Sequence, residues 1–246
     1  NDIDAIHAAS SVNKNIVVSL VAGSAVTVEE WHKEVPAILE TFYNGMEGGN
    51  ALARIIFGDV NPSGKLPFTV PKLERDLPPF DSYADTVHYG YYHGYTLFDK
   101  EKKEPRYPFG FGLSYTSFDI TDLKISGVIP NSFRDPINQE MLKQVANDTL
   151  HFSVKVKNTG AREGAEVVQL YIGFPQANID RPEKLLRGFK KVYLQPNEER
   201  SIEFTVPKSD LAYYNSETKK WVIEKGMYQV LVGNSSRDEK MLDKSF

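Results

Sequence analysis

Residues 45–72 read GMEGGNALARIIFGDVNPSGKLPFTVPK, and residues 107–118 read YPFGFGLSYTSF. In the first stretch Leu52, Ile55 and Ile56 stand at i, i+3 and i+4, which predicts a helix over 49–57 that Gly58 stops. Asn61-Pro62-Ser63-Gly64 then predicts a tight turn into an extended Leu66-Pro67-Phe68 segment, because proline lacks the amide a helix needs. The second stretch alternates aromatic residues with glycine through Tyr115, so that backbone can approach an aromatic wall closely. Strand and helix alternate before these stretches, and strands alone follow them. Together they close one kind of domain and open another.

Upstream, residues 1–70 follow the order α-β-α-β-α. Ile3 and Ile6 form a short helical stripe, and Asn13-Lys14-Asn15 reads as a turn. IVVSLVA (16–22) is a β-branched run of the kind that forms a parallel strand covered on both faces, and Gly23-Ser24 ends it. VEEWHKEV (28–35) predicts a helical turn or two ahead of Pro36. AILETFY (37–43) reads as the second buried strand, with Asn44-Gly45 as its exit. A strand–helix–strand unit of this kind is parallel and right-handed. Two parallel strands neither cover their edges nor bury enough apolar surface to stand alone. Residues 1–70 are therefore read as the C-terminal portion of a doubly wound α/β sandwich domain, completed by strands from elsewhere.

Residues 71–115 read as a linker or junction segment, with Leu77-Pro78-Pro79 and the charged DKEKKEPR (99–106) expected in solvent. Residues 116–246 read as a β-sandwich. In LHFSVKVKNTG (150–160), Leu150, Phe152, Val154 and Val156 face one side, while His151, Ser153, Lys155 and Lys157 face the other. FDITDLKISG (118–127), AEVVQLYIGF (165–174), KLLRGFKKVYL (184–194), RSIEFTVP (200–207) and TKKWVIEKGMYQVLVG (218–233, turning at Lys225-Gly226) bring the total to about seven strands. That spacing suits a fibronectin type III-like or immunoglobulin-like sandwich. Residues 128–148 read as a long loop with a helical turn at 139–145.

The 246 residues are 41% hydrophobic and 25% charged, enough for one large or two modest cores. A net charge of −4 with no basic stripe argues against nucleic acid, and no apolar run approaches membrane-spanning length. Cysteine is absent, which excludes disulfides and thiolate chemistry. Two glycosylation triplets, at Asn147 and Asn234, lend slight support to secretion, and the expectation is a secreted or periplasmic protein rather than a cytoplasmic one. The sequence opens without Met or a signal-peptide pattern, so the expectation is a chain that begins after processing or as a fragment.

Glu47 is the best-placed carboxylate, because it follows the carboxyl end of a parallel strand, where open α/β sheets hold ligands. Its charge also complements a helix N-terminus, and that bland role is the favoured one. Glu29-Glu30 read as a solvated helix face. GMEGGN lacks the Lys-Ser/Thr of a phosphate-binding loop, and no G-x-S-x-G elbow occurs. His88 and His93 stand five apart in a glycine-broken segment with no third ligand in view. Arg181-Pro182 and the basic KLLRGFKK strand are expected to face solvent or a neighbouring domain.

The two opening stretches, followed by EVVQLYI (166–172), RPEKLLRGFKKVYLQPNE (181–198) and WVIEKGMYQVLVGNSS (221–236), resemble the C-terminal part of family-3 glycoside hydrolases of the β-glucosidase type. The resemblance spans nearly the whole chain. It implies a retaining, exo-acting enzyme that removes terminal non-reducing β-D-glucosyl residues. The nucleophilic aspartate of such enzymes belongs to an N-terminal (β/α)₈ barrel, and the acid/base glutamate to a loop upstream of residue 1. Neither position has a counterpart here. The expectation is therefore a chain with no catalytic, substrate-binding or metal residue and no cofactor, inactive alone. Its expected partners are the upstream part of the same enzyme and a β-glucoside or oligosaccharide, with no nucleic acid or membrane; homo-oligomerisation is left open. The alternative is a non-catalytic carbohydrate-binding or cell-surface interaction module.

Overall fold

The computed structural model of the protein describes residues 1–126 and 149–246. The loop over 128–148, its helical turn at 139–145 and the Asn147 triplet lie outside the described residues. The chain folds as two compact units, residues 1–61 with 65–111, and residues 62–64 with 112–246.

In the first unit, helix α1 (Asp2–Val12) begins where Asn1 caps it: the Asn1 Oδ1 accepts the Asp4 amide at 2.9 Å. Strands β1 (Val17–Leu20) and β2 (Ala37–Glu40) pair in parallel, Val17 opposite Ala37 and Leu20 opposite Glu40. The crossover between them buries Val28, Trp31 and Val35 against Ile3, Ile6, Ile16, Val18, Leu20, Ile38 and Tyr107. It contains a single 3-10 turn at His32–Glu34, at the short end of what VEEWHKEV predicts. Trp31 and Val35 both turn into the core and Pro36 follows at once, which leaves room for no more.

Both strands are shorter than the runs that predict them. Phe42 ends β2, because its φ of 52° lies in the left-handed region and breaks the ladder. The strands are also half-buried rather than buried, and Val17 is exposed. A two-stranded sheet has an open edge on each side, so it cannot enclose its own side chains.

Helix α2 (Gly48–Ile56) follows, and Gly58, at φ 82°, lies just beyond its C-cap Phe57. Residues 61–64 are irregular rather than a tight turn. The two opening stretches then lie side by side. The Leu66 amide donates to the Phe111 carbonyl (2.8 Å), the Gly110 amide to Leu66 (2.8 Å), and the Val70 amide to Tyr107 (2.9 Å). Gly110 has φ 80°, which a residue with a Cβ rarely adopts. Tyr107 stacks on Phe111 with ring centroids 5.2 Å apart.

The segment read as a linker contains a helix, α3 (Gly94–Lys100), with Thr96, Phe98 and Asp99 buried. The Thr96 hydroxyl donates to the His93 carbonyl at 2.8 Å and closes the first turn. DKEKKEPR is thus only partly in solvent: Asp99 is buried, and Arg106 is tied to Glu29.

The second unit is a β-sandwich with strands β3 (Phe118–Ser126), β4 (Thr149–Asn158), β5 (Gly164–Gly173), β6 (Lys184–Leu194), β7 (Glu199–Pro207), β8 (Tyr213–Asn215), β9 (Lys220–Val222), β10 (Gln229–Gly233) and β11 (Leu242–Ser245). One sheet has the order β3-β4-β7 and the other β11-β10-β5-β6, all neighbours antiparallel. Leu150, Phe152, Val154 and Val156 of β4 are buried against Val168, Leu170 and Ile172 of β5 and their neighbours. Gly188 lets β6 lean inward, since a Cβ there would meet the Phe204 ring at 3.1 Å.

Two features depart from the sequence reading. The 218–233 run does not form one hairpin: β9 pairs with β8 in a separate two-stranded ribbon, and β10 joins the four-stranded sheet. The edge strand β11 is an addition. Its residues Leu242 to Ser245 alternate too weakly to predict a strand, and pairing with β10 supplies the order.

Candidate functional site

The carboxyl end of β1 and β2 carries tightly constrained backbone. Thr41 anchors the exit, its amide and hydroxyl both donating to the Leu20 carbonyl at 2.9 Å. Phe42 then takes a left-handed conformation that costs a bulky residue about 1–3 kcal/mol. Its ring meets Phe68 edge-on at a centroid distance of 6.0 Å. Gly45 is also left-handed, at φ 64°. The Tyr43 ring lies over Gly23, where a Cβ would come within 2.9 Å of it, and Gly48 leaves room for the Asn44 side chain. Tyr43 and Met46 nevertheless project outward, 80% and 100% exposed.

Glu40 closes β2 at this end, and sequence reasoning missed it. Burial raises its carboxyl above the usual carboxylate range, against a weaker opposing effect of the Phe42 amide. That amide approaches Glu40 Oε1 at 3.4 Å. A lone acidic residue ending the apolar run AIL was the available signal. Sequence alone does not show that Phe42 would fold its amide back over the carboxylate.

The sequence candidates are not brought together. Glu47 is exposed just before α2; it accepts a 2.6 Å bond from Asn50 Nδ2 and makes no side-chain cap to the helix. Glu29 lies in a turn and not on a helix face, and it is half-buried. Its two oxygens accept from Arg106 Nε (2.7 Å) and Nη2 (2.6 Å), which holds its carboxyl below the usual range. Glu30 remains exposed. His88 and His93 are both exposed, the latter at the N-cap of α3. Among the described residues no group of three or more His, Cys, Asp or Glu is placed to hold a metal ion, and no helix is long and apolar enough to cross a membrane.

Arg181 does not face outward. Its side chain is 4% exposed, stacked 3.4 Å from the Phe174 ring centroid and 3.5 Å from Glu224. Glu224 Oε1 also accepts the Asn178 amide at 2.9 Å, and the Tyr228 hydroxyl donates to the Glu224 carbonyl at 2.7 Å. Burial pushes the Tyr228 hydroxyl up to about 12. This cluster pins the loop after β5 to the segment before β10.

Comparison with known proteins places these features in a family. Residues 1–115 match the glycosyl hydrolase family 3 C-terminal domain, and residues 166–236 match a fibronectin type III-like domain. The chain is 41% identical over 239 residues to the thermostable beta-glucosidase B of Acetivibrio thermocellus, and 38% identical over 242 residues to a beta-glucosidase of Bacteroides ovatus. Each match covers 95% of this chain but only 30% of the relative. Among solved structures, the beta-D-glucoside glucohydrolase of Trichoderma reesei superposes with a TM-score of 0.87 at 31% identity, over 98% of this chain and 34% of that one. A family-3 beta-glucosidase of Bifidobacterium adolescentis gives 0.85 at 35% identity, over 99% and 35%. The chain belongs to glycosyl hydrolase family 3, carrying that family's C-terminal α/β domain followed by a fibronectin type III-like β-sandwich.

Proposed function

We propose that this chain is the C-terminal portion of a retaining, exo-acting β-glucosidase that removes terminal non-reducing β-D-glucosyl residues. Both catalytic carboxylates come from an upstream part of the same enzyme. The observation that carries this reading is the two-stranded parallel sheet, half-buried and, among the described residues, open at both edges, in a chain that spans about a third of its relatives' length.

Retaining hydrolysis needs two carboxyl groups about 5–5.5 Å apart, a nucleophile and a general acid/base. Of the sequence candidates, Glu29 is engaged with Arg106 and Glu47 with Asn50. The chain's contribution is to complete the sheet whose carboxyl end faces the reaction. The tight Thr41–Leu20 anchor and the strained Phe42 hold that end in one geometry.

A mechanism-based label tests this in the intact enzyme. A 2-deoxy-2-fluoroglucosyl fluoride should form a stable glycosyl-enzyme on the nucleophile. Peptide mass mapping is expected to find the label outside residues 1–246. A label on Glu47, Glu40 or any other residue of this chain overturns the reading.

A further inference from the structure

Strands β6 and β7 follow each other in the chain yet belong to different sheets. Among the described residues β6 pairs only with β5, and β7 only with β4, so each is an edge. An open groove of about 410 Å³ runs between them, with Lys190, Lys191 and Tyr193 on one bank and Arg200 and Glu203 on the other. Arg200 is already paired with Glu198. Among the lining side chains only Glu203 is left to balance Lys190 and Lys191, which leave the strand on opposite faces, a local excess of positive charge in a chain of net charge −4.

Lysine on an edge strand often does no more than keep other strands away. The outer face of β6 departs from that pattern. Val192 and Leu194 are buried, so Phe189, Lys191 and Tyr193 point outward at i, i+2 and i+4, and the two rings are 67% and 66% exposed. Lys191 lies 5.4 Å from the Tyr193 ring centroid. A strand kept solitary by charge has no use for two exposed aromatic rings beside that charge.

The geometry points to the β6 edge as a docking site for an extended acidic polypeptide segment, added as a further antiparallel strand. Acidic side chains of that segment stand opposite Lys190 and Lys191, and apolar ones opposite Phe189 and Tyr193, where cross-strand pairs interact most strongly. A second copy of β6 does not fit, because antiparallel pairing about these residues sets lysine against lysine. An anionic polysaccharide would answer the lysines but lacks the evenly spaced amides and carbonyls that match a strand edge.

The test uses the intact native protein and a seven-residue synthetic peptide with valine, threonine, glutamate, glutamate and valine in order at its centre. Binding is followed by fluorescence anisotropy, and hydrogen exchange locates it. The expected result is saturable binding that slows exchange in residues 189–193, weakened at least ~10-fold by Lys190→Glu with Lys191→Glu or by lysine in place of the peptide glutamates. Activity on β-glucosides should be unchanged in that variant, which separates this inference from the proposed function. No binding, protection elsewhere, or equal binding of the lysine peptide overturns it. So does binding of polygalacturonate with no binding of the peptide, which would make the groove a polyanion site. Should the double variant misfold, the peptide pair alone decides.

Discussion

Asn158 shows how one side chain can organise a sandwich edge. It is fully buried; its Oδ1 accepts the Thr116 hydroxyl (2.7 Å) and the Gly160 amide (3.1 Å), while its Nδ2 donates to the carbonyls of Arg162 (2.7 Å) and Leu194 (3.1 Å). Asn158→Leu strips partners from all of these at once. A destabilisation of roughly 2–3 kcal/mol is expected, since a buried polar group left unsatisfied costs about 1–3 kcal/mol. Denaturant unfolding of the sandwich should show a lowered midpoint at constant slope. Sequence marks Asn158 only as the start of a turn; the partners 36 and 42 residues away that make it a hub are visible only in the fold. The same limit hid Arg181, whose charge suggested solvent until Phe174 and Glu224 closed around it.

His7 and Glu34 form a half-exposed pair whose strength depends on pH. The His7 Nδ1 lies 2.9 Å from the Glu34 carboxylate, which also accepts the Ser10 hydroxyl at 2.7 Å. The Glu34 hydrogen bond raises the His7 pKa above 6.5, and the same bond lowers that of Glu34 below 4.5. The His7 contribution to stability is therefore fully present below about 6.5 and is lost as pH rises through its raised value. The Glu34 contribution is present above about 4.5 and is lost as pH falls through its lowered value. Titration of the His7 imidazole by NMR should give a pKa above 6.5, and Glu34→Gln should bring it back toward that value. A His7 pKa indifferent to Glu34→Gln would remove the pair from the account.

At the scale of elements, what was legible depended on how far a strand's neighbours lay along the chain. The alternation in β4 gave its inward and outward faces correctly, because period two is a local property and the sandwich honours it. The parallel order of β1 and β2 was legible too. Their length was not, because it is set by the Phe42 backbone and not by apolar content. Helix α3 escaped notice because Gly90, Gly94 and a run of tyrosines mask its short apolar stripe, although Phe98 is 1% exposed. The half-buried β1 yields a prediction of its own. In the enzyme containing the upstream part, amides of residues 17–20 should rank among the slowest to exchange, as in a fully paired sheet. In isolated residues 1–246 they should exchange quickly. Equal protection in both would mean that the two-stranded sheet is self-sufficient.

For the whole molecule, the carboxylates decide the matter. The family was readable from the glycine-rich stretches and the tail motifs. The candidate site was legible only as a location, the carboxyl end of β2, since Glu40 gains its character from burial and from a neighbouring amide. If this chain completes a site whose nucleophile and acid/base lie upstream, it should bind the architecture together and turn nothing over by itself. The most direct measurement is hydrolysis of an aryl β-D-glucoside by rigorously purified residues 1–246, beside the enzyme that includes the upstream part. Release of the phenol is expected at the buffer rate from the isolated chain and at a catalytic rate from the longer enzyme. Turnover by residues 1–246 alone, lost on Glu47→Gln or Glu40→Gln, would contradict it.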